Sequence, residues 1–189
     1  MIIVIVTALI AFALTAVIRR FSLRRGHLDI PNERSSHSSP TPHGGGIAVV
    51  VALLVAGLLL LGVDKLSARE FAAIFVPGLA IALVGRLDDL GRLTSAKWRL
   101  AMHFMIAAFA AWYLGGLPAL TIIDTSVDFS ILGNCIAVVY LVWLLNLFNF
   151  MDGIDLITSV ETATVCLMSA WILQAKSDSG LWILVASIG

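Results

Sequence analysis

Apolar residues in this chain come in long runs, and polar residues collect at the joints between them. Runs at about 1–18, 46–63, 71–87, 100–117, 131–148 and 157–174 are each near the length of a membrane span, and a seventh begins at Leu181. A helix rises 1.5 Å per residue, so about 20 residues, with a range of roughly 17–25, cross about 30 Å of hydrocarbon. Lipid cannot satisfy an open backbone, so these runs are predicted to be helices. Pro77, inside the third run, predicts a kink. Between the fourth and fifth runs, Leu120, Ile122, Thr125, Val127 and Phe129 alternate with other residues and predict a short hairpin. The expected fold class is all-α: a polytopic transmembrane helical bundle with about six complete spans and the start of a seventh. It reads as a single integral membrane domain over residues 1–189, with no internal repeat and with loops too short for a soluble domain.

Composition agrees. The 189 residues are 60% hydrophobic and 13% charged, whereas soluble domains carry about 25% charged residues. Twelve basic and twelve acidic residues cancel, so net charge does not suggest nucleic acid as a partner. Cys135 and Cys166 both lie in apolar runs and read as buried free thiols, without metal-ligand spacing. No Lys or Arg precedes the first apolar run, while Arg19, Arg20, Arg24 and Arg25 follow it. That is the reverse of a signal peptide's charge order and predicts a retained span with its N-terminus outside. On this topology Arg19, Arg20, Arg24, Arg25, Arg34, Arg86, Arg92, Lys97 and Arg99 face the cytoplasm, and only Lys65, Arg69 and Lys176 lie opposite. The imbalance is a positive-inside bias. Trp98, Trp112 and Tyr113 read as interface anchors, and His103 as a satisfied interfacial histidine.

Three constellations carry candidate chemistry, all on the predicted cytoplasmic side. Asp88 and Asp89 end the third run just before Gly91; Mg²⁺ favours one or two carboxylates plus waters and phosphate oxygens, so the pair suits metal-assisted phosphoryl transfer. The competing reading is solvation in the headgroup layer through Arg86 and Arg92. Asn146, Asn149, Asp152 and Asp155 recur every three residues across the end of the fifth run, beside Gly153. Helical spacing lays such groups along one slowly turning stripe; helix capping by Asp152 or Asn149 accounts for one of them and not for four. The first loop offers Arg34, His37, Thr41 and then Gly44, Gly45 and Gly46, whose backbone N–H groups open the second span, and helix N-termini attract phosphate. A loop merely rich in turn formers is the plainer alternative.

Taken together, Asp29-Ile30-Pro31-Asn32 with Arg34, His37 and Pro40-Thr41-Pro42 before the three glycines, Asp88-Asp89, and Asn149-Phe150-Met151-Asp152-Gly153-Ile154-Asp155 resemble the polyprenyl-phosphate N-acetylhexosamine-1-phosphate transferase family. The first loop is similar to members that initiate O-antigen or teichoic-acid synthesis. The resemblance implies a bacterial inner-membrane enzyme with a cytoplasmic active face. Its reaction transfers a sugar-1-phosphate from a UDP-N-acetylhexosamine to undecaprenyl phosphate, with Mg²⁺ or Mn²⁺ as cofactor and UMP as the leaving group. It implies Asp88, Asp89, Asp152 and Asp155 as catalytic residues, with Asp89 and Asp152 toward the metal. Asn149, Arg34, His37, Thr41, Gly44 and Gly45 would bind substrate, and a homodimer is left open. Two departures stand out. Leu156 occupies a position where the family commonly has Gly, and further acidic and His-rich motifs that normally follow are not in this sequence, so the chain is expected to be the N-terminal part of a longer transferase fold. An ion-coupled transporter would place its acids near mid-span in two related halves; a catalytically inactive scaffold is the third reading.

Overall fold

The computed structural model describes residues 2–26, 28–29, 40–42, 44–92, 95–122, 125–151, 156–176 and 179–189. Each of the six apolar runs is a helix: α1 (Ile2–Arg25), α2 (Gly46–Gly62), α3 (Ala68–Asp89), α4 (Ala96–Leu114), α5 (Ser130–Met151) and α6 (Ile157–Lys176). A short α7 (Leu181–Ala186) follows. Two antiparallel pairs join them. β1 (Leu28–Asp29) pairs with β2 (Thr41–Pro42) in the first loop, and β3 (Leu120–Ile122) with β4 (Thr125–Val127) at the expected hairpin. The β1–β2 pair has no counterpart in the sequence reading, because two residues are too few to show alternation.

The chain divides into two compact units, residues 1–71 with 151–189, and residues 72–150. In the first, α2 packs on α1 and α7. Ala48, Ala52, Ala56 and Leu60, one helical turn apart, are at most 1% exposed. Small residues at this spacing let helix backbones approach closely where lipid gives no hydrophobic drive between helices. The α2–α3 turn is held by reciprocal caps: the Ser67 N–H and hydroxyl donate to Glu70 Oε2 (2.8 and 2.6 Å), while the Glu70 N–H donates to Ser67 Oγ (3.2 Å). Ser179 Oγ donates to the other carboxylate oxygen of Glu70 at 3.0 Å, and the Gly180 N–H donates to the Lys65 carbonyl. The α2–α3 and α6–α7 joints therefore lie at the same end of this unit.

In the second unit α4 ends in a left-handed Gly115, and the Gly116 and Gly115 N–H groups return to the Ala111 and Trp112 carbonyls. Asn134 of α5 accepts from the Leu117 N–H at 2.8 Å. Gly116 is at φ +85°, where a side chain is strained, and a Cβ there would lie 2.1 Å from Asn134 Oδ1, so a larger residue would also displace the Asn134 side chain from its bond to Leu117.

This is a helical membrane protein. Helices α1, α3 and α5 are long and apolar enough to cross a bilayer, yet only 6%, 17% and 11% of their apolar windows are buried inside the protein. Side chains such as Phe12 (77% exposed) and Ile131 (79%) have no protein cover and suit hydrocarbon rather than water. α2, with 17 residues, is apolar but short. α4 carries Lys97, Arg99 and His103 in its first two turns, and α6 carries Thr158, Ser159, Glu161, Thr162 and Thr164. These polar turns are why three helices, rather than six, stand out as spans. The cysteines are free, as expected, but Cys135 is exposed and Cys166 half-exposed, because the faces that carry them are left to lipid.

Candidate functional site

Asp88 and Asp89 form the last turn of α3. The helix stops there because Gly91 takes φ +65°, its N–H donates to the Asp88 carbonyl (2.8 Å), and the Arg92 N–H donates to the Leu87 carbonyl (3.0 Å). This closed C-cap satisfies the Leu87 and Asp88 carbonyls with backbone N–H groups and leaves both carboxylates to act as acceptors. A helix C-terminus carries roughly half a negative charge and favours Lys or Arg, so two carboxylates in its last turn are electrostatically misplaced. They need a cation.

Arg99 supplies one. Ser95 caps α4, with its side chain accepting from the Lys97 N–H at 3.3 Å. In the next turn Arg99 Nη1 donates to Asp88 Oδ2. The two side chains are 28% and 32% exposed, partly withdrawn from water, where a charge-assisted bond is stronger than at the open surface. The partner is thus neither Arg86 nor Arg92, the residues the solvation reading had chosen. One turn beyond Arg99, His103 is 7% exposed and close enough to feel the charges of both Arg99 and Asp88. Its Nδ1 is buried and has no hydrogen-bond partner among the described residues. His103 therefore differs from the satisfied interfacial histidine expected. The sequence reading missed Arg99 and His103 as site residues; their i, i+4 spacing from the α4 cap was the available signal.

The remaining candidates are distributed as follows. Asn149 is exposed in the last turn of α5, and Asn146, one turn earlier, donates Nδ2 to the Val142 carbonyl at 2.7 Å. Asn146 is therefore tied to its own helix, while Asn149 is presented outward. Asp152, Asp155, Arg34 and His37 lie outside the described residues. Thr41 sits in β2, half-exposed, and Gly44 (φ +101°) and Gly45 lead into α2, which has no side-chain N-cap bond. These three belong to the first unit; Asp88, Asp89 and Asn149 belong to the second. Leu156, just before α6, is held at φ +67°, a left-handed conformation that a bulky side chain rarely adopts.

Among the described residues no group of three or more His, Cys, Asp or Glu side chains surrounds a metal position. The oxygen donors of Asp88 and Asp89 nonetheless have the chemistry of a hard cation that keeps waters and takes phosphate oxygens, and their place at a negative helix end suits it. An apolar groove of about 410 Å³ on α5, lined by Cys135, Ile136, Val139, Tyr140 and Trp143, holds no charged group and is unsuited to a nucleotide.

The family model described as glycosyl transferase family 4 matches residues 71–189. The chain is 25% identical over 194 residues to a decaprenyl-phosphate N-acetylglucosaminephosphotransferase of Mycobacterium tuberculosis, covering 93% of this chain and 46% of that protein. It is 28% identical over 148 residues to an undecaprenyl-phosphate alpha-N-acetylglucosaminyl 1-phosphate transferase of Thermotoga maritima, covering 78% and 44%. A probable undecaprenyl-phosphate N-acetylglucosaminyl 1-phosphate transferase of Bacillus subtilis is 24% identical over 152 residues, covering 80% and 42%. The chain thus spans less than half the length of these relatives. No solved structure matches it.

Proposed function

Because the chain belongs to glycosyl transferase family 4, we propose that it contributes the membrane-embedded carboxylate site of an enzyme transferring an N-acetylhexosamine-1-phosphate from a UDP-sugar to a polyprenyl phosphate. An oxygen of the lipid phosphate attacks the sugar-linked phosphorus, the bond to UMP breaks, and a lipid-linked sugar diphosphate remains. One observation carries the reading: two carboxylates placed in the last turn of an apolar span, against the helix dipole, with Asp88 held by Arg99. The printed names of the relatives, each a polyprenyl-phosphate transferase of N-acetylglucosamine phosphate, support the same chemistry.

In this reading Asp88 orients the lipid phosphate, and Arg99 exchanges its bond to Asp88 for a phosphate oxygen as substrate enters. Asp89 and Asp152 would hold Mg²⁺ or Mn²⁺, which when bound neutralises pyrophosphate charge and the charge building on UMP. The resemblance assigns Asn149 and Asp155 to the nucleotide sugar, and Arg34, His37, Thr41, Gly44 and Gly45 to its anionic part. The site faces the cytoplasm of a bacterial inner membrane, with the N-terminus outside and α2, α4 and α6 also crossing, the last two with their polar turns toward protein or headgroups. The product would start synthesis of a cell-surface glycan.

The test is exchange of labelled UMP into UDP-N-acetylglucosamine with undecaprenyl phosphate and Mg²⁺, on the chain alone and on the chain extended by the matching remainder of a relative. Exchange is expected in the extended protein, and Asp88→Asn and Asp155→Asn should each lower it at least a hundredfold while detergent-solubilised folding is retained. Near-normal exchange in both variants would defeat the assignment.

A further inference from the structure

The end of α1 carries four arginines that form no ion pair among the described residues and have no role in the candidate site. The apolar part of the helix, Ile2 to Ile18, spans about 25 Å, and the whole 24-residue helix about 36 Å. In a hydrocarbon layer of about 30 Å about one turn of the helix projects beyond the boundary, and the two turns that follow Ile18 lie at or outside it. Arg19, Arg20, Arg24 and Arg25 stand on those turns, all exposed, and among the described residues none is in an ion pair. Arg20 and Arg24 are one turn apart, a like-charge spacing that weakens a helix unless an anion intervenes. Ser22, 4% exposed, marks the side turned toward protein. Phe21 and Leu23, each 50% exposed, stand among the arginines, and the Arg25 guanidinium lies 4.5 Å from the Phe21 ring centroid. Uncovered apolar side chains alternating with guanidinium groups at the depth where hydrocarbon meets headgroups match one occupant: an anionic phospholipid, with its phosphate on the arginines and its upper acyl carbons on Phe21 and Leu23.

We infer that the juxtamembrane turns of α1 form a binding collar for anionic phospholipid, with Arg20 and Arg24 as its centre. The arrangement is independent of the carboxylate site and of any transferase activity. Each arginine contributes roughly a fivefold gain in preference for anionic over zwitterionic lipid when headgroups are in reach, and the preference falls with salt because the groups are exposed.

The experiment is native mass spectrometry of the full chain released from micelles containing equal phosphatidylglycerol and phosphatidylcholine. The chain should retain phosphatidylglycerol at least tenfold more than phosphatidylcholine, and the ratio should shrink when ammonium acetate is raised severalfold. Arg20→Gln with Arg24→Gln should bring the ratio near one, while Arg20→Lys with Arg24→Lys keeps most of it. Equal helicity by circular dichroism excludes unfolding; if the glutamine variant loses helicity, the salt dependence of the unaltered chain decides. Equal retention of the two lipids, a salt-independent ratio, or an undiminished preference in the glutamine variant would overturn the collar. Loss of UMP exchange in the Asp88 variant, with lipid preference intact, separates this inference from the proposed activity.

Discussion

Leu156 shows how a single residue reports on the chain around it. Its φ of +67° costs a side-chain-bearing residue roughly 1–2 kcal/mol, and at 74% exposure the side chain recovers little of that by packing. The position where the sequence resemblance leads to an expectation of Gly is therefore one the backbone turns left-handed just before α6. Leu156→Gly should be more stable than Leu156→Ala by about 1 kcal/mol, the reverse of the usual order for these two residues. Thermal unfolding of the three proteins in the same detergent checks it, and an alanine variant equal to or above the glycine variant would remove the backbone explanation. The same scale explains what was and was not readable around Asp88. A carboxylate pair after an apolar run was plain from composition alone. Its partner was not, because Arg86 and Arg92 are nearer in sequence, while Arg99 reaches Asp88 only once Gly91 turns the chain and Ser95 starts α4. The burial of His103 was hidden for a similar reason: it depends on which face of α4 is covered, and the two candidate faces differ little in hydrophobicity.

At the scale of elements, apolar run length fixed the helices closely. The ends moved by a few residues because capping chemistry, rather than hydropathy, ends a helix: Gly115 and Gly116 stop α4 at Leu114, short of the run's end at about 117. Alternation sufficed for the 120–127 hairpin. Packing inside the first unit adds a constraint that hydropathy could not supply, since Ala48, Ala52 and Ala56 look no different from any apolar residue in α2. Ala52 is 1% exposed, and Ala52→Leu would have to force neighbouring backbones apart at about 1–3 kcal/mol. A fall of several degrees in unfolding midpoint is expected, with Val49→Leu, on an exposed position of the same helix, as the harmless control. Equal midpoints would mean that the alanine stripe is not a packing face.

For the whole molecule, the question is how many helices cross. Three qualify by length and apolarity, and the crossing of α3 is the one on which the site depends. Ala68, the first residue of that helix, and Ala96, the first residue of α4, are both exposed and lie at its two ends. In a background lacking Cys135 and Cys166, Ala68→Cys should react with a membrane-impermeant maleimide on intact spheroplasts, and Ala96→Cys only after permeabilisation. Labelling of both from one side would remove α3 as a span and with it the cytoplasmic placement of Asp88. The division into two units was not legible in the sequence, because it depends on contacts between α1, α2, α6 and α7 that are far apart along the chain.

The bond from Ser179 to Glu70 joins residues 109 positions apart. During translation, α1 and α2 emerge early and can pair while most of the chain is still unmade, because their contacts are local. Glu70 is by then capped by Ser67 but has no distant partner. Only when the ribosome has added residues 179 and 180 can the two joints meet, so this bond forms later than the α1–α2 contacts, and a nascent chain arrested before that point would lack it.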